Sequence, residues 1–189
     1  MRRPGLFIGV LACAALAYIG WNTLRTEGPG SRGPARGREL PRFAVPLALS
    51  DLEGDANVSG RACSVRGPKV LNSCELAKRG PVVLTFFAEP VARCDDEIDQ
   101  VERMRARFPD LQFAAVAIRG SRDALRRRVR ERGWKLPVGH DRDGAVANLY
   151  GVAVCPTIVL ARKGGGVDRT LIGSQDEADL EPAVEELEP

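Results

Sequence analysis

Residues 80–94, GPVVLTFFAEPVARC, decide the fold of this chain. The central part, PVVLTFFA, is a continuous apolar run of strand-forming residues, which is typical of a strand buried on both faces of a sheet. The residues from Cys94 onward, CDDEIDQVERMRARF, place Ile98, Val101 and Phe108 at helical spacing and put acidic residues in the first turn. The stretch therefore predicts a buried strand followed by a helix that begins near Cys94.

The rest of the chain continues this alternation of strands and helices. A second buried strand is predicted at LQFAAVAI, and the helix RDALRRRVRER follows with Ser121 as its cap and Gly133 at its end. LPVGHD and TIVLAR predict strands, GAVANLYG predicts a short helix, and GVDRTLIG predicts a strand after the turn at residues 164–166. Residues 55–80 show no regular pattern. The order β-α-β-α-β-α-β-β-α predicts an α/β fold, with a central mixed sheet and helices on both faces.

An uninterrupted apolar run, LFIGVLACAALAYIGW, occupies residues 6–21 and follows Arg2 and Arg3. Its length is close to that of a membrane-spanning helix, and the preceding arginines favour an amino terminus on the inner side. We expect residues 1–25 to form an uncleaved signal anchor, a single transmembrane helix that holds the domain on the extracytoplasmic side of the cell membrane. A cleaved signal peptide and lipidation at Cys13 are the alternatives.

Glycine, proline and charged residues dominate the stretch after the apolar run, which predicts a flexible linker over residues 26–42 and a folded domain over residues 43–189. The net charge of +3 is unevenly distributed. Residues 1–42 contain seven arginines and two glutamates, a net charge of +5, which leaves −2 for the domain. A nearly neutral domain argues against nucleic-acid binding, which needs a basic surface on the fold itself.

Two blocks of this sequence resemble the redoxin branch of the thioredoxin superfamily, which includes membrane-anchored thiol-disulfide proteins related to the alkyl hydroperoxide reductase and thiol-specific antioxidant family. In GPVVLTFFAEPVARC the family has a strand and then F-W-A-x-W-C-x-x-C. The block DRDGAVANLYGVAVCPTIVLARKGG follows the family pattern at Tyr150, Gly151, Val152, Pro156 and Thr157. The resemblance covers about residues 43–187. It implies a thioredoxin-like fold with a cis bond before the proline.

The first block departs from the family pattern at the residues that carry the chemistry. When Cys94 is aligned with the second cysteine of C-x-x-C, Val91 stands at the first. In the family the first cysteine attacks a substrate disulfide as a thiolate and the second resolves the mixed disulfide. Thr85 stands where family members often have an acidic or amide residue that assists proton transfer. The resemblance thus implies a degenerate loop in which the standard dithiol mechanism cannot operate.

The resemblance also suggests where a second sulfur is found. Cys155 directly precedes Pro156, and in the thioredoxin fold this proline loop packs against the redox loop. We therefore expect Cys94 and Cys155 to lie close together, as a redox couple or a structural disulfide. Two buried free thiols are the alternative, because cysteine also packs as a small apolar residue.

Cys63 and Cys74 lie in the irregular segment ACSVRGPKVLNSC, and we expect them to form a local structural disulfide. Redox shuttling with Cys94 is the less favoured alternative. Zinc binding is disfavoured because the cysteine spacing is unsuitable and the chain has a single histidine, His140, which we expect in a turn or at the surface. No metal and no cofactor are predicted.

The six arginines between residues 122 and 132 predict the solvated face of a helix, with Leu125 and Val129 directed inward. Contact of these arginines with a membrane or a partner is the alternative.

Three functions fit these patterns. The first is an extracytoplasmic thiol-disulfide oxidoreductase that uses Cys94 with Cys155 as partner and acts on protein thiols or disulfides. The second is a non-catalytic thioredoxin-fold binding or structural protein. The third is a thiol peroxidase, which is weakened because Val91 and Phe87 stand where that family has Thr or Ser and Pro.

Overall fold

The computed structural model of the chain describes residues 12–18, 32–88 and 91–188. Residues 12–18 are helical and exposed (α1). No helix among the described residues is long and apolar enough to cross a membrane. Most of the predicted anchor, residues 1–25, lies outside the described residues.

Seven strands and five further helices follow α1. The strands are β1 (Ala44–Pro46), β2 (Val70–Asn72), β3 (Val82–Ala88), β4 (Gln112–Ile118), β5 (Val138–Asp141), β6 (Thr157–Ala161) and β7 (Val167–Ile172). The helices are α2 (Ser73–Arg79), α3 (Ala92–Arg107), α4 (Arg122–Arg132), α5 (Ala145–Leu149) and α6 (Glu177–Glu185), together with a 3₁₀ turn at Ala62–Ser64.

The central sheet has the strand order β5-β4-β3-β6-β7. Strands β3, β4 and β5 are parallel, whereas β6 is antiparallel to β3, and β7 is antiparallel to β6. A separate antiparallel pair, β1 and β2, packs beside β5, where a Cβ on Gly139 would come within 2.4 Å of a Val45 methyl carbon. The predicted mixed sheet is confirmed, and the apolar run of residues 82–88 is its central strand.

Two apolar clusters cover the two faces of the sheet, because successive side chains of β3 point in opposite directions. Val83 and Phe87 belong to one cluster, with residues of α3, α4 and α6. Leu84 and Phe86 belong to the other, with residues of α2 and α5. The alternation of β3 puts Thr85 on the same face as Val83 and Phe87. Helices on both faces are therefore observed, as the sequence predicts.

The described part of the predicted linker, residues 32–42, lies along β7 rather than apart from the domain. The backbone N–H of Gly37 donates to Val167, and the N–H of Val167 donates to Arg38, both at 2.8 Å. Leu40 is buried in the cluster that contains Phe86. The folded part thus begins before residue 43, because the edge of β7 supplies backbone partners that no local pattern in a glycine-rich segment indicates.

Candidate functional site

The loop before β6 holds Cys155 against the core. The Cys155–Pro156 peptide bond is cis. The Thr157 hydroxyl donates to the carbonyl of Val154 at 2.6 Å, and the N–H of Gly173 donates to the carbonyl of Pro156 at 2.9 Å. Both ends of the loop are therefore fixed, and Cys155 is half-buried against the cluster that covers α3.

Cys94 lies in the first turn of α3, where its N–H donates to the carbonyl of Val91 at 2.9 Å. Its side chain is fully buried in the same cluster that Cys155 contacts. Val91 precedes the helix and is 43% exposed. The accessible position at the start of α3 is thus occupied by Val91, whereas the sulfur atom of Cys94 is buried in the core.

Cys94 and Cys155 are both free thiols. They contact one apolar cluster, and a charge on Cys94 acts on Cys155 strongly enough to raise the pKa of that thiol. Both sulfurs therefore belong to the same side of the sheet, one at the start of α3 and the other in the proline loop.

Burial makes both thiols harder to ionise. Burial raises the pKa of Cys94, and the nearby carboxylates of Asp95 and Glu97 raise it further, against the opposing effects of a backbone hydrogen bond from Ala88 and of the Arg93 charge. Burial, together with Cys94, raises the pKa of Cys155 to about 11. Neither thiol is an activated thiolate at neutral pH.

Glu97 is a site residue that the sequence analysis did not single out. It is buried one turn after Cys94, and burial, with a contribution from Asp176, raises its pKa although the N–H of Gln175 donates to Oε2 at 3.2 Å. Oε1 has no hydrogen-bond partner among the described residues. Its place in the buried stripe of α3, next to Ile98, is the sequence signal that could have identified it.

Asp95 fixes the start of α3 to the neighbouring helix. The carboxylate is buried, and its Oδ2 pairs with Arg128 and, at 3.6 Å, with Arg132. Burial raises the pKa of Asp95, whereas Arg128 and Arg132 lower it. Two of the arginines of α4 are therefore internal partners of the helix that bears Cys94.

Three exposed apolar side chains adjoin the thiols. Val91 precedes α3, Val154 precedes Cys155, and Ile172 pairs with Thr157 at the end of β7. Val154 and Ile172 are 46% and 41% exposed. Val91, Val154 and Ile172 together are called the apolar rim below.

The AhpC/TSA family matches residues 38–170, which is more than half of the chain. The chain belongs to the AhpC/TSA family. Among curated proteins, this member is similar to the thiol-disulfide oxidoreductase ResA of Bacillus anthracis, with 26% identity over 155 residues that cover 81% of this chain and 79% of that protein. It is also similar to ResA of Geobacillus thermodenitrificans, with 26% identity over 182 residues that cover 95% and 92%.

Solved structures show the same fold. A thiol:disulfide interchange protein of the thioredoxin family from Chlorobium tepidum aligns with a TM-score of 0.63 and 17% identity, over 82% of this chain and 98% of that one. A secreted disulfide oxidoreductase of Mycobacterium tuberculosis aligns with a TM-score of 0.57 and 21% identity, over 63% and 90%. The predicted thioredoxin-like fold is thereby confirmed.

The other two cysteines of this AhpC/TSA family member form a disulfide, with Cys63 and Cys74 Cα atoms 5.5 Å apart. The bond joins the 3₁₀ turn to α2, next to the cluster that contains Leu76. This cluster lies on the opposite face of the sheet from Cys94. Direct exchange with Cys94 within one molecule is therefore excluded by the sheet between them.

His140 does not lie in a turn. It is buried in β5, and its Nε2 is 3.3 Å from the carbonyl oxygen of Gly120. The expectation of a turn or surface histidine was wrong, because His140 pairs with Ala117 of β4 and is buried beneath the surface. Among the described residues no group of three or more His, Cys, Asp or Glu side chains could hold a metal ion.

Proposed function

We propose that this protein is a thiol-disulfide oxidoreductase in which Cys155 meets the substrate and Cys94 resolves the mixed disulfide. The observation that carries the proposal is that two free thiols share one apolar cluster at the junction of the proline loop and α3. The similarity to the ResA oxidoreductases supports the same chemistry. The C-x-x-C loop is then degenerate, with Val91 at the position of the attacking cysteine.

The roles of the two thiols follow from their exposure. A thiol that attacks a disulfide of another molecule must be reached from outside, and Cys155 is half-buried whereas Cys94 is fully buried. Cys94 therefore reacts only with a sulfur already held at the proline loop. This resolving role agrees with the alignment of Cys94 with the second cysteine of C-x-x-C.

The reaction conserves atoms and electrons. The Cys155 thiolate attacks one sulfur of a protein disulfide, and the other substrate sulfur leaves as a thiolate and takes up a proton. The Cys94 thiolate then attacks the Cys155 sulfur and releases the second substrate thiol. The substrate gains two electrons and the protein forms a Cys94–Cys155 disulfide. The buried Glu97 carboxylate, one turn from Cys94, is positioned to take the Cys94 proton.

The raised pKa values indicate the direction of electron flow. A thiol of high pKa is a poor leaving group, so a disulfide between two such thiols resists reduction. The dithiol form is then the electron donor, and the protein acts as a reductant of protein disulfides. The apolar rim formed by Val91, Val154 and Ile172 is the surface that would contact the substrate protein.

The cellular placement is part of this proposal. The apolar run of residues 6–21 after two arginines supports a signal anchor over residues 1–25. The Cys63–Cys74 disulfide suits an oxidising compartment. We place the domain on the extracytoplasmic side of the cell membrane, with the residues between anchor and domain as the linker.

A non-catalytic binding protein is the second candidate, favoured by the high pKa of both thiols. A peroxidase is not favoured, because Val91 and Phe87 stand where the peroxidase family has Thr or Ser and Pro.

A trapping experiment tests the proposal. The reduced full chain is mixed with an excess of oxidised insulin, quenched with acid and mapped by mass spectrometry. We expect the wild type to form a Cys94–Cys155 disulfide, Cys94→Ser to accumulate a mixed disulfide through Cys155, and Cys155→Ser to be inactive. Cys13→Ser is the matched control and should behave as the wild type. Insulin reduction that is unchanged in both Cys94→Ser and Cys155→Ser would exclude this cysteine pair as the site. Absence of insulin reduction in the wild type would exclude the oxidoreductase and leave the binding protein.

A further inference from the structure

The Cys63–Cys74 disulfide is not enclosed by the protein, because both cysteines line a cleft of about 470 Å³. This volume lies in the range of pockets that bind small molecules. The cleft is walled on one side by α2 and on the other by residues 39–42 and the backbone of Gly164 and Gly165. A small molecule that enters the cleft therefore reaches the disulfide directly.

The charged residues of the cleft favour the binding of an anionic small molecule. Glu39, Arg42 and Lys78 line it, and the Glu39 carboxylate is paired with Arg42 at 3.1 Å. Lys78 is in no ion pair with another described residue, and it lies four positions after Cys74 on α2. Residues with this spacing are neighbours on one helix face, so Lys78 and Cys74 lie on the same side of α2 and both line the cleft. The positive charge of Lys78 stabilises a thiolate formed there.

The segment around the disulfide is also held without the sulfur–sulfur bond. The buried side chain of Asn72 donates to the carbonyls of Ala62 and Val65 at 2.9 and 2.8 Å. Its Oδ1 accepts from the N–H groups of Cys74 and Glu75 at 2.8 and 3.2 Å. One side chain thus ties the 3₁₀ turn to α2, and the two cysteines stay in place when the disulfide opens.

We propose that the Cys63–Cys74 disulfide is a second exchange site, which oxidises a low-molecular-weight anionic thiol that binds in the cleft. The thiolate of the small molecule attacks the Cys63 sulfur, and the electron pair leaves on the Cys74 sulfur beside Lys78. A second small thiolate attacks its partner in the mixed disulfide, which frees Cys63 and releases a small symmetrical disulfide. Two electrons enter the protein, and both cysteine thiolates take up protons from solvent.

This reaction is independent of the Cys94 and Cys155 thiols, which lie on the other face of the sheet. The two pairs can be followed separately in the wild-type chain, because trypsin places Cys63, Cys74, Cys94 and Cys155 in four different peptides. Failure of one proposal is therefore distinguishable from failure of the other.

The test measures the opening of the disulfide in the native full chain by differential alkylation and peptide mapping. The probes are 3-mercaptopropionate, which is anionic, and cysteamine, which is cationic, with rates expressed per thiolate. We expect the anionic probe to react faster, and its advantage to fall about two- to fivefold in Lys78→Gln and at high salt. Lys135→Gln, a lysine outside the cleft, is the matched control and should keep the advantage.

Two results would overturn the proposal. One is a disulfide that opens only in denaturant, and the other is an opening rate that does not depend on the charge of the probe. A third measurement tests the role of Asn72: the far-ultraviolet circular dichroism of the reduced chain should equal that of the oxidised chain, and the disulfide should re-form on removal of the small thiol. Loss of helix signal on reduction would identify a structural staple instead.

Discussion

The Cys155 thiol is half-buried, and burial together with the nearby Cys94 raises its pKa to about 11. At pH 7 only about one molecule in ten thousand then carries the thiolate that reacts. We expect the rate of Cys155 alkylation by iodoacetamide to rise about tenfold per pH unit between pH 7 and pH 10. The urea-unfolded chain, alkylated at the same pH values, provides the control. A Cys155 rate that levels off near pH 8 would contradict this assignment.

The pKa values of two glutamates of α3, Glu97 and Glu102, are shifted in opposite directions. Burial raises the pKa of Glu97. Burial also acts on Glu102, but hydrogen bonds from Arg105 and from the N–H groups of Leu136 and Lys135 outweigh it and lower the pKa. When folding raises the pKa of a carboxyl group, ionisation of that group at neutral pH lowers the stability of the fold. When folding lowers the pKa, ionisation at neutral pH raises the stability.

We therefore expect Glu97→Gln to increase the free energy of unfolding by about 1 kcal/mol at pH 7, and Glu102→Gln to decrease it by about 1–2 kcal/mol. The gain in the first variant should disappear below pH 4.5, the unfolded value, because both forms are then neutral. The loss in the second should shrink as the pH falls through the lowered pKa. Urea titrations at pH 7 and at acid pH measure both, and equal signs at pH 7 would contradict the assignment.

Most arginines of helix α4 form hydrogen bonds or ion pairs with other elements of the fold. The Arg122 guanidinium donates to the carbonyls of Leu47 and Ser50 at 2.7 and 3.1 Å, and Arg126 donates to the carbonyl of Ala48 at 2.9 Å. With the ion pairs of Arg128 and Arg132, four of the six arginines hold other elements of the fold. Arg127 and Arg130 are exposed on the same helix.

This division predicts unequal effects along α4. Arg122→Met should lower the free energy of unfolding by about 1.5–3 kcal/mol, because hydrogen bonds from a charged group to part-buried carbonyls are lost. Arg127→Met on the exposed face is the matched control and should change it by about 0.5 kcal/mol or less. Both are measured by urea unfolding at pH 7. Similar losses in the two variants would mean that α4 is stabilised by its net charge rather than by these contacts.

The strands that the sequence predicts best are those buried on both faces, because β3 and β4 each carry a long continuous apolar run. Sequence reasoning fails for residues 55–80, where β2 has three residues and α2 has seven. Elements this short have no measurable period, and their stability comes from the capping side chain of Asn72 and from pairing with β1. For His140 the strand was predicted, and only its burial was missed, because burial depends on the elements that pack against β5.

The candidate site also has features that the sequence predicts and features that it does not. That Cys94 and Cys155 contact the same side of the sheet agrees with the fold, in which the proline loop packs against the start of α3. Which thiol is accessible could not be predicted, because that depends on how deeply the first turn of α3 is buried. The cleft beside Cys74 could not be predicted from the sequence either, because the residues that line it are far apart in the chain.

At the scale of the whole molecule, the segment before the domain acts as an extra edge for the sheet. Leu40 donates its N–H to the carbonyl of Gly165 at 2.6 Å, and Thr170 donates its hydroxyl to the carbonyl of Pro34 at 3.0 Å. An uncovered edge strand exposes unpaired backbone groups and invites pairing with other chains. Residues 33–40 thus cover part of the β7 edge, and Glu39, Leu40 and Arg42 at the end of this segment line the disulfide cleft.

The side chain that fixes this segment is Leu40, which is 4% exposed and packs in the cluster around Phe86. We expect Leu40→Ala to lower the free energy of unfolding by about 2–3 kcal/mol and to speed amide hydrogen exchange at Val167, whose N–H donates to Arg38. Leu49→Ala removes the same atoms from a side chain that is 51% exposed, and should cost about 0.5 kcal/mol or less. If the two variants unfold at the same urea concentration, the segment is not docked in solution, and the cleft beside Cys63 and Cys74 loses a wall.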